Sequence, residues 1–245
     1  MMTAQQLKNS ILQRAIEGKL VEQRPEEGTA KELLKEIKLE KEKLVKEGKI
    51  KKSKPMPAIT EDEIPFEIPE NWEWVRLGNI GGLERGSGLK RSEVIAEGKP
   101  CIRYGELYTT YNTRFSQAVS CTSIDVFDSC HKVHFGDILM SLTGENKQDI
   151  AMALTYEGKE ELAMGGDMTK WFAHGMNPLY LTYVLNSPYG ISCKQSLATG
   201  NIIIHISNDK LGSIILPIPP LSEQRRIVER LEQLLPLCDK LMMEQ

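Results

Sequence analysis

Apolar residues in the first segment recur on one helical face: Leu7, Ile11 and Ala15, with Leu12 and Ile16 beside them. The spacing predicts a helix over 3–17, opened by Thr3 as N-cap and stopped by Gly18 just past its end. A loop containing Pro25 and Gly28 follows. Thr29-Ala-Lys-Glu32 then has the pattern of a capping box, in which the threonine hydroxyl and the glutamate carboxylate satisfy backbone amides reciprocally. It predicts a second helix over about 30–47, ending at Gly48, with a thin apolar stripe of Leu33, Leu34, Ile37, Leu44 and Val45 among Lys and Glu. The other end of the chain has a related pattern. Pro217, Pro219 and Pro220 force an extended lead-in. Ser222 is the predicted N-cap of a helix in which Ile227, Leu231, Leu234, Cys238 and Leu241 recur at intervals of 4, 3, 4 and 3, a narrow a/d seam. Glu223 sits where a helix N-terminus favours negative charge. Because the seam continues past Pro236, the proline is expected to kink the helix without ending it.

Between these helical ends the periodicity changes. The basic run 49–54, with Pro55 and Pro57 after it, reads as a linker. An acidic stretch (Glu61, Asp62, Glu63, Glu67, Glu70) precedes Trp72, Trp74, Val75 and Leu77, which predict a first buried strand. From there to about 216 the pattern is short strands and glycine turns. Residues 81–88 read as a flexible loop, 100–106 as strand then turn, 133–140 as a turn entering a buried strand, and 151–155 and 161–164 as strands. Residues 178–185 predict a helix with Pro178 in its first turn, and 189–197 a second one. Residues 201–207 and 214–218 predict two more strands. The fold class is therefore α+β: an irregular mixed α/β domain over 55–220, flanked by coiled-coil-like helices in 1–54 and 221–245. There is no internal repeat and no low-complexity tract.

Composition narrows this picture modestly. The 245 residues allow one large domain plus helical extensions. No stretch approaches the roughly 18 uninterrupted apolar residues of a membrane span, and the polar start Met1-Met2-Thr3-Ala4-Gln5-Gln6 does not read as a secretory signal. Five scattered cysteines (Cys101, Cys121, Cys130, Cys193, Cys238) fit reduced thiols in a cytoplasmic protein. The net charge of −3 is unevenly spread. Residues 1–54 hold 14 basic and 9 acidic side chains, residues 55–220 hold 13 and 20, and residues 221–245 hold 4 and 5. An acidic middle excludes a global electropositive field, so any nucleic-acid binding there needs a local basic face.

Motifs for chemistry are sparse. Gly86-Ser-Gly88 is not a phosphate-binding P-loop, because no Gly-Lys-Ser/Thr follows. With Glu84 it offers the glycine motif of a methyltransferase cofactor site. Asn177-Pro-Leu-Tyr180 resembles the Asn-Pro-Pro-Tyr of adenine amino-methyltransferases without its second proline. Neither stands in the alternating β/α frame that such a cofactor domain needs. Cys130, His131 and His134 lack a second ligand pair at matching spacing, since His174 and His205 are isolated, and no metal is assigned. Asp125, Asp128 and Asp137 with these histidines offer the groups of a hydrolytic dyad, but no nucleophile elbow or metal-nuclease arrangement accompanies them, and no catalytic residue is assigned.

Several segments, in order, carry a family resemblance. Pro219-Pro-Leu-Ser-Glu-Gln224 feeding Arg225-Arg-Ile-Val228 resembles the conserved-region helix of type I restriction-modification DNA specificity subunits. Pro69-Glu-Asn-Trp-Glu-Trp-Val-Arg-Leu-Gly78 is similar to the opening of their target recognition domain. Pro100-Cys-Ile-Arg-Tyr-Gly-Glu-Leu-Tyr108, Gly136-Asp-Ile-Leu-Met140, the 180–187 helix ending in Leu-Asn-Ser, and Ala198-Thr-Gly-Asn-Ile-Ile-Ile-His-Ile-Ser207 resemble its later segments. Leu7-Lys-Asn-Ser-Ile-Leu-Gln-Arg-Ala-Ile-Glu-Gly-Lys-Leu20 looks like the distal part of a family spacer.

The resemblance implies that 55–220 is one target recognition domain and that the chain is a half-length, non-catalytic specificity subunit. It implies a cytoplasmic homodimer of half-subunits reading an interrupted palindrome in double-stranded DNA. It further implies docking of a methylation (modification) subunit that holds S-adenosylmethionine and a restriction subunit that uses ATP, with no cofactor on this chain. Base and phosphate contacts need polar and basic groups on loops. Within the resemblance, these are expected from Arg85, Lys90, Arg91, Arg103, Tyr104, Tyr108, Asn112, Arg114, Thr143, Asn146, Lys147, Lys170, Thr199 and Asn201, in the segments 85–91, 103–114, 143–148, 170–174 and 199–205. The dimer or partner seam is expected from Leu7, Ile11, Leu34, Ile37, Ile227, Leu231, Leu234 and Leu241. Two alternatives stand beside this reading: a stand-alone DNA adenine methyltransferase, and an interaction module that does not bind DNA.

Overall fold

Thr3 and Thr29 both open helices, each through a full capping box in which its hydroxyl accepts from the amide three residues on and that residue's side chain accepts from its own amide. The computed structural model describes residues 3–52 and 56–243. Ser53, Lys54 and Pro55 of the expected linker lie outside the described residues, as do the expected 54/55 boundary, Met1, Met2, Glu244 and Gln245.

In chain order, the first elements are α1 (Ala4–Ile16), α2 (Ala30–Lys46), β1 (Glu73–Arg76), β2 (Gly82–Arg85), β3 (Val94–Ile95), β4 (Lys99–Ile102) and α3 (Glu106–Thr109). Next come β5 (Arg114–Phe115), β6 (Ser120–Thr122), α4 (Ile124–Ser129), β7 (Lys132–Val133), β8 (Ile138–Ser141), β9 (Thr143–Gly144), β10 (Ala153–Tyr156), β11 (Leu162–Met164) and β12 (Met168–Phe172). The last are α5 (Pro178–Leu185), α6 (Pro188–Leu197), β13 (Ile204–His205), α7 (Asn208–Ser213), β14 (Ile215–Ile218) and α8 (Leu221–Met243). The mixed α/β class holds. Among the described residues no helix is long and apolar enough to cross a membrane.

The chain forms two compact units. One comprises residues 1–80, 175–190 and 213–245; the other comprises 81–174 and 191–212. This partition differs from the expected segments, because β1, α5 and β14 join the helical ends.

In the first unit, α8 packs against α1 and α5. It begins at Leu221, one residue before the expected cap: the Gln224 amide donates to Pro220 O, and Ser222 is an exposed first-turn residue. Helix hydrogen bonding runs past Pro236. The buried stripe is Ile227, Val228, Leu231, Leu235 and Cys238. Leu234 is half-buried and Leu241 exposed, so the stripe departs from the expected a/d register after Leu231. Ile37, Ile227 and Leu231, expected to face a partner, are instead buried within this chain, while Leu7, Ile11 and Leu34 are half-buried.

β1 and β14 form an antiparallel pair in register Glu73↔Ile218 to Arg76↔Ile215. Trp72, just before the strand, is buried; Trp74 packs edge-on against Phe66 and Tyr189. Arg76 is buried and fully engaged. It donates to the carbonyls of Pro57, Ala58 and Ser213 and pairs with Glu63 at 2.7 Å, which gives one member of the acidic stretch a structural role.

The second unit contains two five-stranded sheets, ordered β2-β12-β8-β10-β5 and β3-β6-β4-β11-β7. One apolar cluster draws on both. Phe115, Leu139, Leu154, Tyr156 and Met168 come from the first sheet, and Ile102, Val133, Leu162 and Met164 from the second. Strand alternation sends Cys101 and Ala163 to the opposite face of the second sheet, where they meet Phe127 of α4 and Cys130.

Two sequence expectations fail in this unit. Residues 82–85, expected in a loop, form β2 and pair with β12. Of the strand expected over 201–207, only Ile204–His205 is extended and paired, and Ile202 and Ile203 are exposed.

Candidate nucleic-acid interface

The polar segments of the second unit converge on two adjoining clefts. The first is lined by Leu89, Arg91, Arg103, Tyr104, Glu106 and Thr109, with Gly165, Gly166 and Asp167 as floor and wall. Arg103 is held in place by a buried carboxylate. Its amide donates to Glu106 Oε2 at 3.1 Å and its Nη2 to Glu106 Oε1 at 3.2 Å, while Ser120 Oγ donates to the same Oε1. Glu106 is thereby satisfied on both oxygens, and the Arg103 guanidinium remains about one-third exposed with its position set.

Gly86 brings the backbones together here. A Cβ at this position would lie 2.0 Å from Gly165 O, so no other residue fits without moving the chain. The first glycine of the Gly-Ser-Gly stretch thus has a packing reason, while Gly88 has open space around it.

The second cleft is lined by Arg85, Leu142, Thr143, Thr199, His205, Ile206 and the run Ser207-Asn-Asp-Lys210. β9 and β13 supply one edge through the pairs Thr143↔His205 and Gly144↔Ile204, and Thr143 Oγ1 lies 3.2 Å from His205 Nδ1. Arg85 joins the two clefts: its Nε donates to Gly166 O at 2.7 Å and its Nη2 lies 3.5 Å from Asp167. The Leu142 amide donates to Asp167 O, closing the shared wall.

The expected contact residues therefore separate into groups. Arg91, Arg103 and Tyr104 line the first cleft, and Arg85, Thr143 and Thr199 the second. Lys90, Asn146, Lys147 and Asn201 are exposed on the adjoining loops. Asn146 is ordered by its bonds to Asp149, where its Nδ2 donates to Oδ2 and its Oδ1 accepts from the Asp149 amide.

Tyr108 is a support: half-buried, it is bonded to Ser141 Oγ and donates to Thr143 O. Burial pushes its hydroxyl up to about 12, so it stays a neutral donor. Asn112 and Arg114 are exposed but line neither cleft, and Arg114 lies 3.7 Å from Glu157.

Lys170 is a correction. It is buried on β12, donates to Lys132 O, and sits 3.1 Å from Glu84 and 3.8 Å from Asp137. Its charge is neutralised inside the fold, so it is withdrawn from the contact set. The histidines once considered for metal are dispersed. His131 Nδ1 contacts Arg85 O and His134 Nε2 contacts Glu161. Among the described residues no group of three or more His, Cys, Asp or Glu is arranged to hold a metal ion.

Thr109 lies within the expected segment 103–114; sequence reasoning missed Gly166, Asp167 and the Ser207–Lys210 run. The last carried a usable signal: Ser207 Oγ accepts from the Lys210 amide at the start of α7, a cap pattern hidden by reading 201–207 as strand. Asn208 Oδ1 in this run is buried without a hydrogen-bond partner among the described residues.

Comparison with known proteins is consistent with this geometry. The family model described as the type I restriction modification DNA specificity domain matches residues 69–244. The specificity subunit of the type I restriction enzyme EcoAI of Escherichia coli is 36% identical over 242 residues, spanning 96% of this chain and 40% of that protein. The EcoEI specificity subunit, also from Escherichia coli, is 31% identical over 246 residues, spanning 96% of this chain and 41% of that one. The chain thus spans about two fifths of the length of these curated relatives. The crystal structure of the HsdS subunit from Thermoanaerobacter tengcongensis shares the fold, with a TM-score of 0.54 at 19% identity, covering 98% of this chain and 51% of that one.

Proposed function

This chain belongs to the type I restriction-modification DNA specificity family, and from that premise we propose that it is the sequence-recognition subunit of a type I restriction-modification complex, reading one half of a bipartite site in double-stranded DNA. The observation that carries the reading is the pair of adjoining clefts in the second unit. Arg85, Arg91 and Arg103 stand there among hydroxyl and amide groups on a chain that is acidic overall. Such a wall offers phosphate clamps and base-edge donors side by side.

The subunit itself makes and breaks no bonds. A modification subunit supplies S-adenosylmethionine and the methyl transfer, and a restriction subunit supplies ATP-driven cleavage, all in the cytoplasm. The helical unit serves as spacer and docking surface, and residues 55–220 as the target recognition domain in the family's sense. The proposed assembly is a homodimer of half-subunits. Leu7, Ile11, Leu34, Leu234 and Leu241 keep exposed surface for such a seam. Two identical readers would mirror their symmetry in an interrupted palindrome.

The test is transfer of labelled methyl groups from S-adenosylmethionine to genomic DNA by this chain, by the cognate modification subunit, and by both. Incorporation is expected only in the mixture. Incorporation by this chain alone would make it a methyltransferase, and none from a mixture shown to assemble would make it an interaction module.

Arg85 carries a second prediction. Arg85→Ala is expected to weaken DNA binding by the assembled complex on all sequences alike. It should also flatten the plot of log affinity against log salt by about one unit, the signature of one lost phosphate contact. An unchanged salt slope would remove Arg85 from the interface.

A further inference from the structure

The turn at the edge of the second cleft presents apolar side chains where polar ones are structurally permissible. Thr199 and His205 exchange two backbone hydrogen bonds, at 2.9 and 2.7 Å, and close the turn. Gly200 makes the closure possible: its φ is +104°, and a Cβ there would lie 2.1 Å from Ile203 O. On the returning strand, Ile204 and Ile206 are buried and fix the register against β9. Asn201, Ile202 and Ile203 at the tip bury nothing comparable. Ile202 is 89% exposed and Ile203 53%. The turn is therefore braced at its base by Thr199 and His205, both of which line the second cleft, and it holds two branched apolar side chains in water at its tip.

Nothing in the fold requires isoleucine at the tip, and its apolar surface is unfavourable in water, so its use is sought in what the cleft binds. This step rests on the DNA-recognition reading above. Duplex DNA presents phosphates, sugars and polar base edges, and on the major-groove edges one apolar group, the C5 methyl of thymine. We propose that Ile202, with Ile203 beside it, is a specificity-determining contact that reads a thymine methyl in the major groove, while the neighbouring arginine and hydroxyl groups meet phosphate and polar edges. The braced turn keeps the contact preorganised, so recognition does not first have to order the loop.

Replacing thymine by uracil removes the methyl and leaves the Watson–Crick edge unchanged, which isolates this contact. The experiment uses the complex of this chain with its modification subunit and a duplex carrying the mapped site, with each thymine in turn replaced by uracil. The wild-type complex is expected to lose about fourfold in binding at one thymine per half-site, the equivalent of one buried methyl group. Ile202→Ala is expected to bind thymine and uracil duplexes equally at that position. Thermal melting of the variant checks that the fold is intact, and the exposed tip makes a shift of more than a degree or two unexpected.

A mapped site without thymine, indifference of the wild-type complex to every uracil, or an Ile202→Ala complex that discriminates as well as wild type would each overturn the assignment. Loss of induced DNA bending in Ile202→Ala with no uracil effect would overturn it in favour of a minor-groove wedge. Failure of the complex to modify any DNA would instead overturn the recognition reading on which this inference stands.

Discussion

Replacing Trp72 with alanine is expected to lower the unfolding free energy of the helical unit by about 3–5 kcal/mol, the range for deleting a large buried aromatic side chain. Trp72 is 3% exposed, and its ring meets Tyr180 edge-on. Its indole Nε1 donates to Glu223 Oε2 at 3.0 Å, and Gln23 donates to the other oxygen at 2.6 Å. The indole therefore fills space and also satisfies a buried carboxyl in the first turn of α8, whose ionisation burial already disfavours. Alanine would leave both a cavity and an orphaned oxygen. Trp72→Phe separates the two effects: it keeps most of the packing and is expected to cost about 1–3 kcal/mol for the unmade hydrogen bond. Chemical denaturation followed by far-ultraviolet circular dichroism measures both variants. A loss below about 1 kcal/mol for alanine would show that the indole does not anchor α8.

A pH-dependent stability is the second large effect, and it belongs to Lys194. This lysine is 2% exposed, and its Nζ donates to Ala151 O at 2.9 Å. Burial pushes its ammonium down to about 7, against the opposing pull of Cys193 and Asp149. In the unfolded chain a lysine titrates near 10.4. Between about 7 and 10 the unfolded state therefore binds more protons than the folded one, and stability rises with pH across that window; below it both states hold the proton and the slope vanishes. The expected gain from pH 7 to pH 9 is on the order of 2 kcal/mol. Lys194→Met, similar in volume and uncharged, should abolish this rise. Urea denaturation of both proteins at pH 6, 7, 8 and 9 makes the comparison. Parallel curves for the two would show that Lys194 is not the titrating group. The partner carbonyl matters because Ala151, at φ +53°, closes the exposed loop that carries Asn146 and Lys147.

Locally encoded features were legible in the sequence. The Thr3 N-cap, the Thr29 capping box and the Pro178 start of α5 depend on residues within a turn of one another, and the structure repeats them; at Thr3 it adds the reciprocal bond to the Gln6 side chain. α8 was legible as a helix but less so in register. It starts at Leu221 and buries its stripe against α1 and α5 of the same unit, which brings Leu235 inward where the seam pattern put Leu234.

Long-range pairing was not legible. Residues 82–85 (Gly-Leu-Glu-Arg), inside the glycine-rich stretch 81–88, have weak strand propensity and become β2 because β12 pairs with them, in the register Lys170↔Glu84. The same pairing explains why Lys170 was misjudged. From sequence it is a basic residue at the start of the segment Lys170-Trp-Phe-Ala-His174. Its partners Glu84, Lys132 and Asp137 are distant in the chain and only the sheet gathers them. Parts of the expected segments 85–91, 103–114, 143–148 and 199–205 come together at the two clefts, and that gathering around Arg85 depends on sheet order, which no local pattern encodes.

The proposed role makes this chain the determinant of where the complex acts on DNA. It is tested most directly by sequencing the methylated bases in genomic DNA treated with the modification subunit in the presence and in the absence of this chain. The expected result is a single bipartite motif, two inverted half-sites separated by a fixed spacer, methylated only when the chain is present. Methylation of the same motif without the chain, or scattered methylation with no shared motif when it is present, would contradict it.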